Sequence, residues 1–441
     1  MPRASLDVVA RALCAAMEDP EVAGRSKGLG IDGIFLEGAR LRAASMDGHT
    51  NRVAVVGGGI GGLAAASFLL QAGFDVQVYE QAPALGEIGA GIQISPNASR
   101  LLLRLGLGDA LAQHGVRPVA VHQRRWQDGR TLQRAPLGEL IERTFGAPYY
   151  HFHRADLLAA LASAVPAERV HLGHRFAAYE DDGARVAIRF DNGAAAEADV
   201  LVGADGIHSA VRAQLFGPER PRFTGCIAYR GLVPAERLTH LKLEIVSSNW
   251  MGPGGHFVHY FVAGARLVNF VAIKERDSWT KESWTDPGRV EDALALFADW
   301  HPQVRSIIAA VDQTFIWALH DRMPLEAWGR GRVTLLGDAC HAMLPFMAQG
   351  AAQSIEDGAA LAQCLQRWPA AEALTRYETI RRPRATRLQE MSRANKTRFH
   401  LLEGPEQQAR DTQMAEAGDR QLANIGWLYA HDAAVIEDPH R

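Results

Sequence analysis

The stretch Arg52-Val-Ala-Val-Val-Gly57-Gly-Gly59-Ile-Gly-Gly62 decides the fold: a short β-branched apolar run leads straight into Gly-x-Gly-x-x-Gly, and an alanine-rich helical pattern follows as far as Gly73. A buried parallel strand that must turn sharply into a helix needs the first glycine. The second lets a pyrophosphate come up against the backbone, and the third lets helix and strand pack closely. Unpaired amides at the helix start then face the phosphates. A second strand pattern, Phe74-Asp75-Val76-Gln77-Val78-Tyr79-Glu80, ends in an acid about 20 residues on, where a carboxylate accepts ribose hydroxyls. Glycine makes up 42 of the 441 residues, so the fingerprint by itself is no more than a glycine-rich turn. The strand before it, the helix after it and Glu80 turn it into a site for one adenine dinucleotide.

A chain of 441 residues can bury a large core, and its length suggests two or three domains. With 47% hydrophobic and 22% charged residues and a formal net charge of -3, it offers nucleic acid no electrostatic purchase. There is no run of 18 apolar residues and no charged-then-apolar leader, so a soluble, cytoplasmic protein without membrane contact is expected. Cys14, Cys226, Cys340 and Cys364 are scattered without a C-x-x-C pair and read as reduced, mostly buried thiols. His151-x-His153 and His256-x-x-His259 lack a companion acid cluster, and no metal is expected. Before Arg52 the character changes: Leu6 to Met17 patterns as a short amphipathic helix, and Glu21 to Thr50 is glycine- and charge-rich without periodicity. Residues 1–50 are read as an N-terminal extension outside the fold, and Met46 as an expected translation start.

Two further strand-then-turn patterns follow. Ala198-Asp-Val-Leu-Val-Gly203-Ala-Asp205-Gly206 runs into Ile207-His-Ser-Ala-Val-Arg212, a helix start. Arg332-Val-Thr-Leu-Leu-Gly337-Asp338-Ala339 leads through Pro345 into Gln349-Gly350-Ala351-Ala352 and a helix to about Leu365. Each alone also suits a β-turn with an Asx hydrogen bond; three in this order point to one site. At these residues the chain resembles the FAD-dependent aromatic hydroxylases, single-component flavoprotein monooxygenases that include the 4-hydroxybenzoate, salicylate, 3-hydroxybenzoate and 6-hydroxynicotinate hydroxylases. The resemblance runs from about Arg52 to His431 and also rests on Gly89-Ala-Gly91-Ile-Gln93-Ile-Ser-Pro-Asn97, on His153-Arg154-Ala-Asp156-Leu157, and on Gly337-Asp338-Ala-Cys-His341 followed by Ala348-Gln349-Gly350. Pro136-Leu-Gly-Glu139, Tyr229-Arg230 and Trp427-Leu-Tyr429 look most like the salicylate and 6-hydroxynicotinate branch.

The resemblance implies an α/β fold. A Rossmann-like FAD-binding domain with a parallel sheet, drawn from 51–118, 148–219 and 318–375, is interleaved with a smaller α+β substrate domain on a mixed sheet, from 119–147 and 220–317; 376–441 form C-terminal helices. Gly57, Gly59, Gly62, Glu80 and Gln81 would hold the adenosine half of FAD, and Arg154 and Asp205 would contact the cofactor. Gly337 and Asp338 would meet the ribityl chain, with Pro345 beside the flavin face. Amides at Gly350 and Ala351 would aim at the ring edge that becomes anionic on reduction; a helix N-terminus stabilises such charge by roughly 0.3–1 kcal/mol when exposed and up to about 2 when partly buried. His341 is read as a hydrogen-bonded loop histidine, the alternative being another contact beside the flavin.

Between these units, Gly225 to Val233, Gly255 to Val262 and Arg266 to Ile273 alternate as strands of a sheet with one covered face. His256, Val258 and Tyr260 share one face, and Phe257, His259 and Phe261 the other. Similarity to the 6-hydroxynicotinate hydroxylases makes His256 and Tyr260 the catalytic pair that positions and deprotonates a ring hydroxyl; packed sheet residues are the alternative. A tyrosine with a pKa near 10 is a poor base at neutral pH. Gln93 stands where that branch has a catalytic histidine, and Cys226 near the base histidine of the 3-hydroxybenzoate branch. The resemblance therefore implies a salicylate-type substrate in contact with Gln93, His256, Tyr260 and Arg230. Arg230 would take the carboxylate bidentately or form an interdomain ion pair. Arg376, Arg381, Arg382, Arg384 and Arg387 crowd one helical stretch, Tyr377 to Phe399, read as a solvated face or else a partner or NAD(P)H-phosphate surface. The tail at Trp427 and Tyr429 is expected to dock on the body.

The implied activity has NADH or NADPH reduce FAD, O2 add at flavin C4a, and the hydroperoxide deliver one oxygen to the ring, so that salicylate leaves as catechol and CO2. One dinucleotide fingerprint implies that the nicotinamide cofactor binds transiently, and glycines around Gly89-Ala90-Gly91 suit a gating motion. The alternatives are a 6-hydroxynicotinate or 3-hydroxybenzoate hydroxylase, a flavin oxidase or dehydrogenase without oxygen insertion, and a non-catalytic FAD-binding regulator. Partners are limited to the small aromatic substrate, O2 and NAD(P)H, in a monomer or homodimer.

Overall fold

The computed structural model describes residues 52–86, 90–278, 286–417 and 420–436; the expected helix from Leu6 to Met17 and Gly89 lie outside the described residues. Strand β1 (Arg52–Val56) is buried from Val53 onward, which is why its run carries no polar alternate. Gly57 then adopts φ 110°, and a Cβ there would stand 2.3 Å from the Ala204 carbonyl oxygen. Helix α1 (Ile60–Gln71) begins at once, and a Cβ on Gly62 would lie 1.9 Å from the Gly57 oxygen, so helix and strand meet only with glycine at both places. Strand β2 (Asp75–Tyr79) pairs parallel with β1 and closes the unit at Glu80.

The remaining strands are β3 (Gly91–Ile94), β4 (Ala120–Arg125), β5 (Thr131–Pro136), β6 (Tyr150–His153), β7 (Val170–His171), β8 (Phe176–Asp181), β9 (Val186–Phe190), β10 (Ala195–Ala198), β11 (Val200–Gly203), β12 (Arg222–Pro234), β13 (Ser247–Gly252), β14 (Gly255–Val262), β15 (Leu267–Glu275), β16 (Asp286–Gly288), β17 (Thr314–Asp321), β18 (Gly329–Arg330) and β19 (Val333–Leu335). One sheet runs β18-β19-β11-β1-β2-β7, parallel except between β18 and β19. A second runs β16-β17-β12-β15-β14-β13-β4-β5, antiparallel except where β13 pairs with β4. The fold is thus α/β, with a mixed sheet beside a Rossmann-like one. The boundary expected at 317 falls inside β17, which runs to Asp321. Strands β8 to β10 form a small antiparallel sheet, and β3 pairs with β6. Four helices matter below besides α1: α2 (Arg154–Ser163), α3 (Ala210–Phe216), α4 (Gly350–Arg367) and α5 (Ala370–Phe399). Among the described residues no helix is long and apolar enough to cross a membrane.

Arg381 and Arg384 of α5 correct the solvated-face reading, whereas Arg387 on the same helix is exposed. Arg381 is fully buried and bonds Glu356 at 2.5 Å, Asp357 at 2.8 Å and the Gln353 side chain at 2.7 Å. Arg384 reaches Glu356 at 2.8 and 3.0 Å, and Arg393 reaches Asp321 at 2.5 Å. Spacing along one helix cannot reveal this, because the carboxylates sit on α4 and β17. The C-terminal tail docks as expected: Tyr429 packs edge-on against Phe145, and its carbonyl accepts from Arg100 at 2.8 Å.

Candidate active site

A cavity of about 670 Å³ is lined by the mixed sheet and by the loop at 343–351. Alternation on β14 sends His256, Val258 and Tyr260 into it, while Phe257 and His259 turn to the opposite side, where Trp250 Nε1 donates to His259 Nδ1 at 3.3 Å. Register brings in the neighbours: Val271 of β15 stands between Val258 and Arg230 of β12. Strand β3 closes over this face through Gly91, whose amide donates to Asn269 Oδ1 at 2.7 Å. A Cβ on Gly91 would come within 2.7 Å of the Tyr260 ring.

At the glycine-rich turn, a Cβ on Gly59 would meet nothing within 4 Å, and α1 starts there without a side-chain cap. That open approach to unpaired amides is what a pyrophosphate requires. Glu80 accepts the Gly58 amide at 2.6 Å and the Ala82 amide at 2.8 Å, and Gln81 is exposed beside it. Asp338, just beyond β19, is exposed and lines the cavity with Arg154, Pro345, Gly350 and Ala351. Helix α4 starts at Gly350 without a side-chain cap, since Gln349 spends its amide on Ser95 at 2.9 Å and accepts from Asn97 at 3.2 Å. A cleft edged by an uncapped helix start and an acid suits the flavin end of FAD.

Asp205 is used differently from the other acids. Its oxygens accept the Ser209 hydroxyl at 2.5 Å and the amides of Ala210 and Val211 at 2.8 and 3.2 Å, so it is held at the start of α3, whose cap is Ser209, and burial raises its carboxyl. Gly337 takes φ 65° and donates its amide to Asp357 at 3.1 Å. His341 is hydrogen-bonded as expected, with Nε2 2.6 Å from Asp357 Oδ2, but it ends a short helix, Asp338–His341, instead of lying in a loop.

Burial lifts the Tyr260 phenol well above its ordinary range, against the opposing pull of a hydrogen bond from Gln93, so it serves as a hydroxyl and not as a base. Gln93 also accepts from Tyr149 at 2.7 Å. His256 is buried, and burial together with neighbouring His400 holds its pKa well below the usual imidazole value; it is neutral at pH 7. Burial, with Arg154 adding, brings Arg230 down to about 10, so it stays cationic, 4.6 Å over the Trp317 ring. Burial pushes the Cys226 thiol up to about 11, consistent with a packed thiol. Sequence reasoning missed His400, Glu275, Tyr149 and Trp317. His400 bonds a residue 144 positions away, and no local spacing signals that.

The chain belongs to the FAD-dependent aromatic monooxygenases, and the turn, the uncapped α4 and the acid at β19 are features that suit their cofactor. The family model described as an FAD binding domain matches residues 50–392. The 3-amino-4-hydroxybenzoate 2-monooxygenase PtmB3 of Streptomyces platensis is 44% identical, over 87% of this chain and 97% of that one. The 6-hydroxynicotinate 3-monooxygenase of Pseudomonas fluorescens is 40% identical, over 78% and 91%. Among solved structures, Klebsiella pneumoniae HpxO complexed with FAD and uric acid superposes with a TM-score of 0.77 at 30% identity, over 86% of this chain and 96% of that one.

Proposed function

We propose that the protein hydroxylates a small aromatic acid bearing a ring hydroxyl, of the 3-amino-4-hydroxybenzoate type, with NADH or NADPH as reductant. One observation carries this: a cation (Arg230), a neutral imidazole (His256) and a phenol (Tyr260) share one cavity with Asp338 and the start of α4. FAD, when bound, supplies the reductive activation of O2 and the oxygen transfer. The Gly57 to Gly62 turn and Glu80 hold its adenosine half; Arg154, Asp338 and the amides at Gly350 and Ala351 hold the rest.

Arg230, which stays cationic despite burial and the like charge of Arg154, takes the substrate carboxylate. His256 accepts the ring-hydroxyl proton, and Tyr260, held by Gln93, fixes that hydroxyl in place. Ionising the hydroxyl raises electron density on the ring, which an electrophilic oxygen donor needs. The 44% identity to PtmB3 supports an aminohydroxybenzoate. Salicylate is the second reading, favoured by the family resemblance, which sets Gln93 and Cys226 where the 6-hydroxynicotinate and 3-hydroxybenzoate branches have a histidine.

The test is to incubate the yellow holoenzyme with NADH or NADPH and 3-amino-4-hydroxybenzoate, salicylate, 3-hydroxybenzoate or 6-hydroxynicotinate, and to identify products by mass. The aminohydroxybenzoate gaining one oxygen with tight coupling supports the proposal. Catechol from salicylate alone selects the second reading, and equal O2 uptake and H2O2 release without hydroxylated product selects an oxidase.

A further inference from the structure

His256 Nδ1 lies 2.7 Å from His400 Nε2, and His400 Nδ1 lies 3.0 Å from Glu275 Oε1. The two rings are buried, at 1% and 5% exposure, whereas the Glu275 side chain is 43% exposed and lines, with His400, a surface recess formed with residues 396–406. The chain of contacts therefore runs from the cavity, which His256 lines, to solvent. Its polarity follows from one fact: an ionised carboxylate only accepts. His400 Nδ1 must carry the hydrogen, so its Nε2 holds a lone pair and takes the hydrogen of His256 Nδ1. That leaves His256 Nε2 as the lone pair available to a ligand.

We propose that His256, His400 and Glu275 form a proton exit that carries the ring-hydroxyl proton of the bound aromatic acid from the cavity to water, an assignment that rests on the phenolic-acid reading of the site. The ligand O–H bond breaks as His256 Nε2–H forms. His256 Nδ1 then gives its proton to His400 Nε2, and His400 Nδ1 gives its own to Glu275, where it exchanges with solvent. Nothing is oxidised, and the phenolate left behind shares the cavity with Arg230. A buried imidazolium beside a second histidine is costly, so His256 works as a base only if its proton moves on; the geometry supplies the way out. The charged groups facing the outer end are Lys396, 3.8 Å from Glu275, and Lys274, whose field reaches His400; Cys226 stands opposite Glu275 in the strand register.

The experiment uses oxidised holoenzyme without reductant, so that no turnover occurs. It is mixed in weak buffer with 3-amino-4-hydroxybenzoate or 4-hydroxybenzoate, while an indicator dye reports released protons and the near-ultraviolet band reports phenolate. The expected result is prompt release of a proton by the native protein, with release slowed roughly tenfold or more in His400→Phe and Glu275→Gln, and ligand affinity and FAD content preserved. Glu275 is surface-exposed, so Glu275→Gln keeps the test sound even if His400→Phe folds poorly. Native-like release in Glu275→Gln overturns the exit while leaving the hydroxylase reading intact, and so does native-like release in a folded His400→Phe. A native protein that binds and hydroxylates no phenolic acid overturns that reading, and the exit with it.

Discussion

Replacing Arg381 with methionine removes the charge that ties α5 to α4, and the structure sets the size of the effect. Glu356, Asp357 and Arg381 are all fully shielded from solvent, and the guanidinium bonds each carboxylate. Breaking such a buried pair costs about 3–5 kcal/mol, because the surviving charge has lost its partner without regaining water. Here Arg384 still holds Glu356 and His341 still holds Asp357, so the lower end, about 3 kcal/mol, is expected. With a denaturant slope of about 3 kcal/mol/M, the urea midpoint read by tryptophan fluorescence should fall by about 1 M. The damage should also reach the cofactor. Glu356 accepts from Asn97 at 2.6 Å, and Asn97 in turn bonds Gln349, the residue before Gly350. Arg381→Met should therefore lose flavin faster during gel filtration. A midpoint shift below about 0.2 M, with native flavin retention, would refute the reasoning.

Three further outcomes are expected. Burial alone would raise the Glu356 carboxyl, but Arg381 and Arg384 outweigh it and bring the pKa from 4.5 to about 2. Its contribution, about 3 kcal/mol, is therefore complete above the unfolded value and drains away as pH falls from about 4.5 towards 2; urea midpoints from pH 7 to 3 should fall less steeply in Glu356→Gln, and parallel curves would contradict this. Asp338→Ala, at an exposed cavity position, should leave stability within about 0.5 kcal/mol while weakening flavin retention; an undiminished yellow protein would remove Asp338 from the cofactor site. Tyr260→Phe loses a hydrogen bond worth about 1 kcal/mol, so it should keep FAD and slow hydroxylation roughly fivefold, and unchanged coupled turnover would exclude the phenol from substrate positioning.

What the sequence revealed and what it hid divide along one line. The turn at Gly57 to Gly62 is legible because its chemistry is local: strand, glycines and helix are contiguous, Gly57 and Gly62 answer to backbone contacts within the motif or just across from it, and Gly59 keeps the approach to the amides open. The face of β14 is legible for the same reason, since a period of two puts His256 and Tyr260 together whatever else surrounds them. Asp205 shows the limit. Its pattern matches Asp338 on paper, yet the helix that follows begins close enough to absorb its oxygens. The arginines of α5, and the link from His256 to His400, depend on which distant segments the fold presses together, and residue spacing carries no trace of that.

The eight residues of β14 answer to two masters. Phe257 and His259 are wedged against Trp250 and its neighbours, and exchanging them disturbs the scaffold. Positions 256, 258 and 260 face the substrate space, where His256 also reaches His400 and Tyr260 packs on His151. Descendants of this chain can thus drift towards new aromatic acids by altering every second residue of a single ribbon, with the architecture that holds the flavin left untouched.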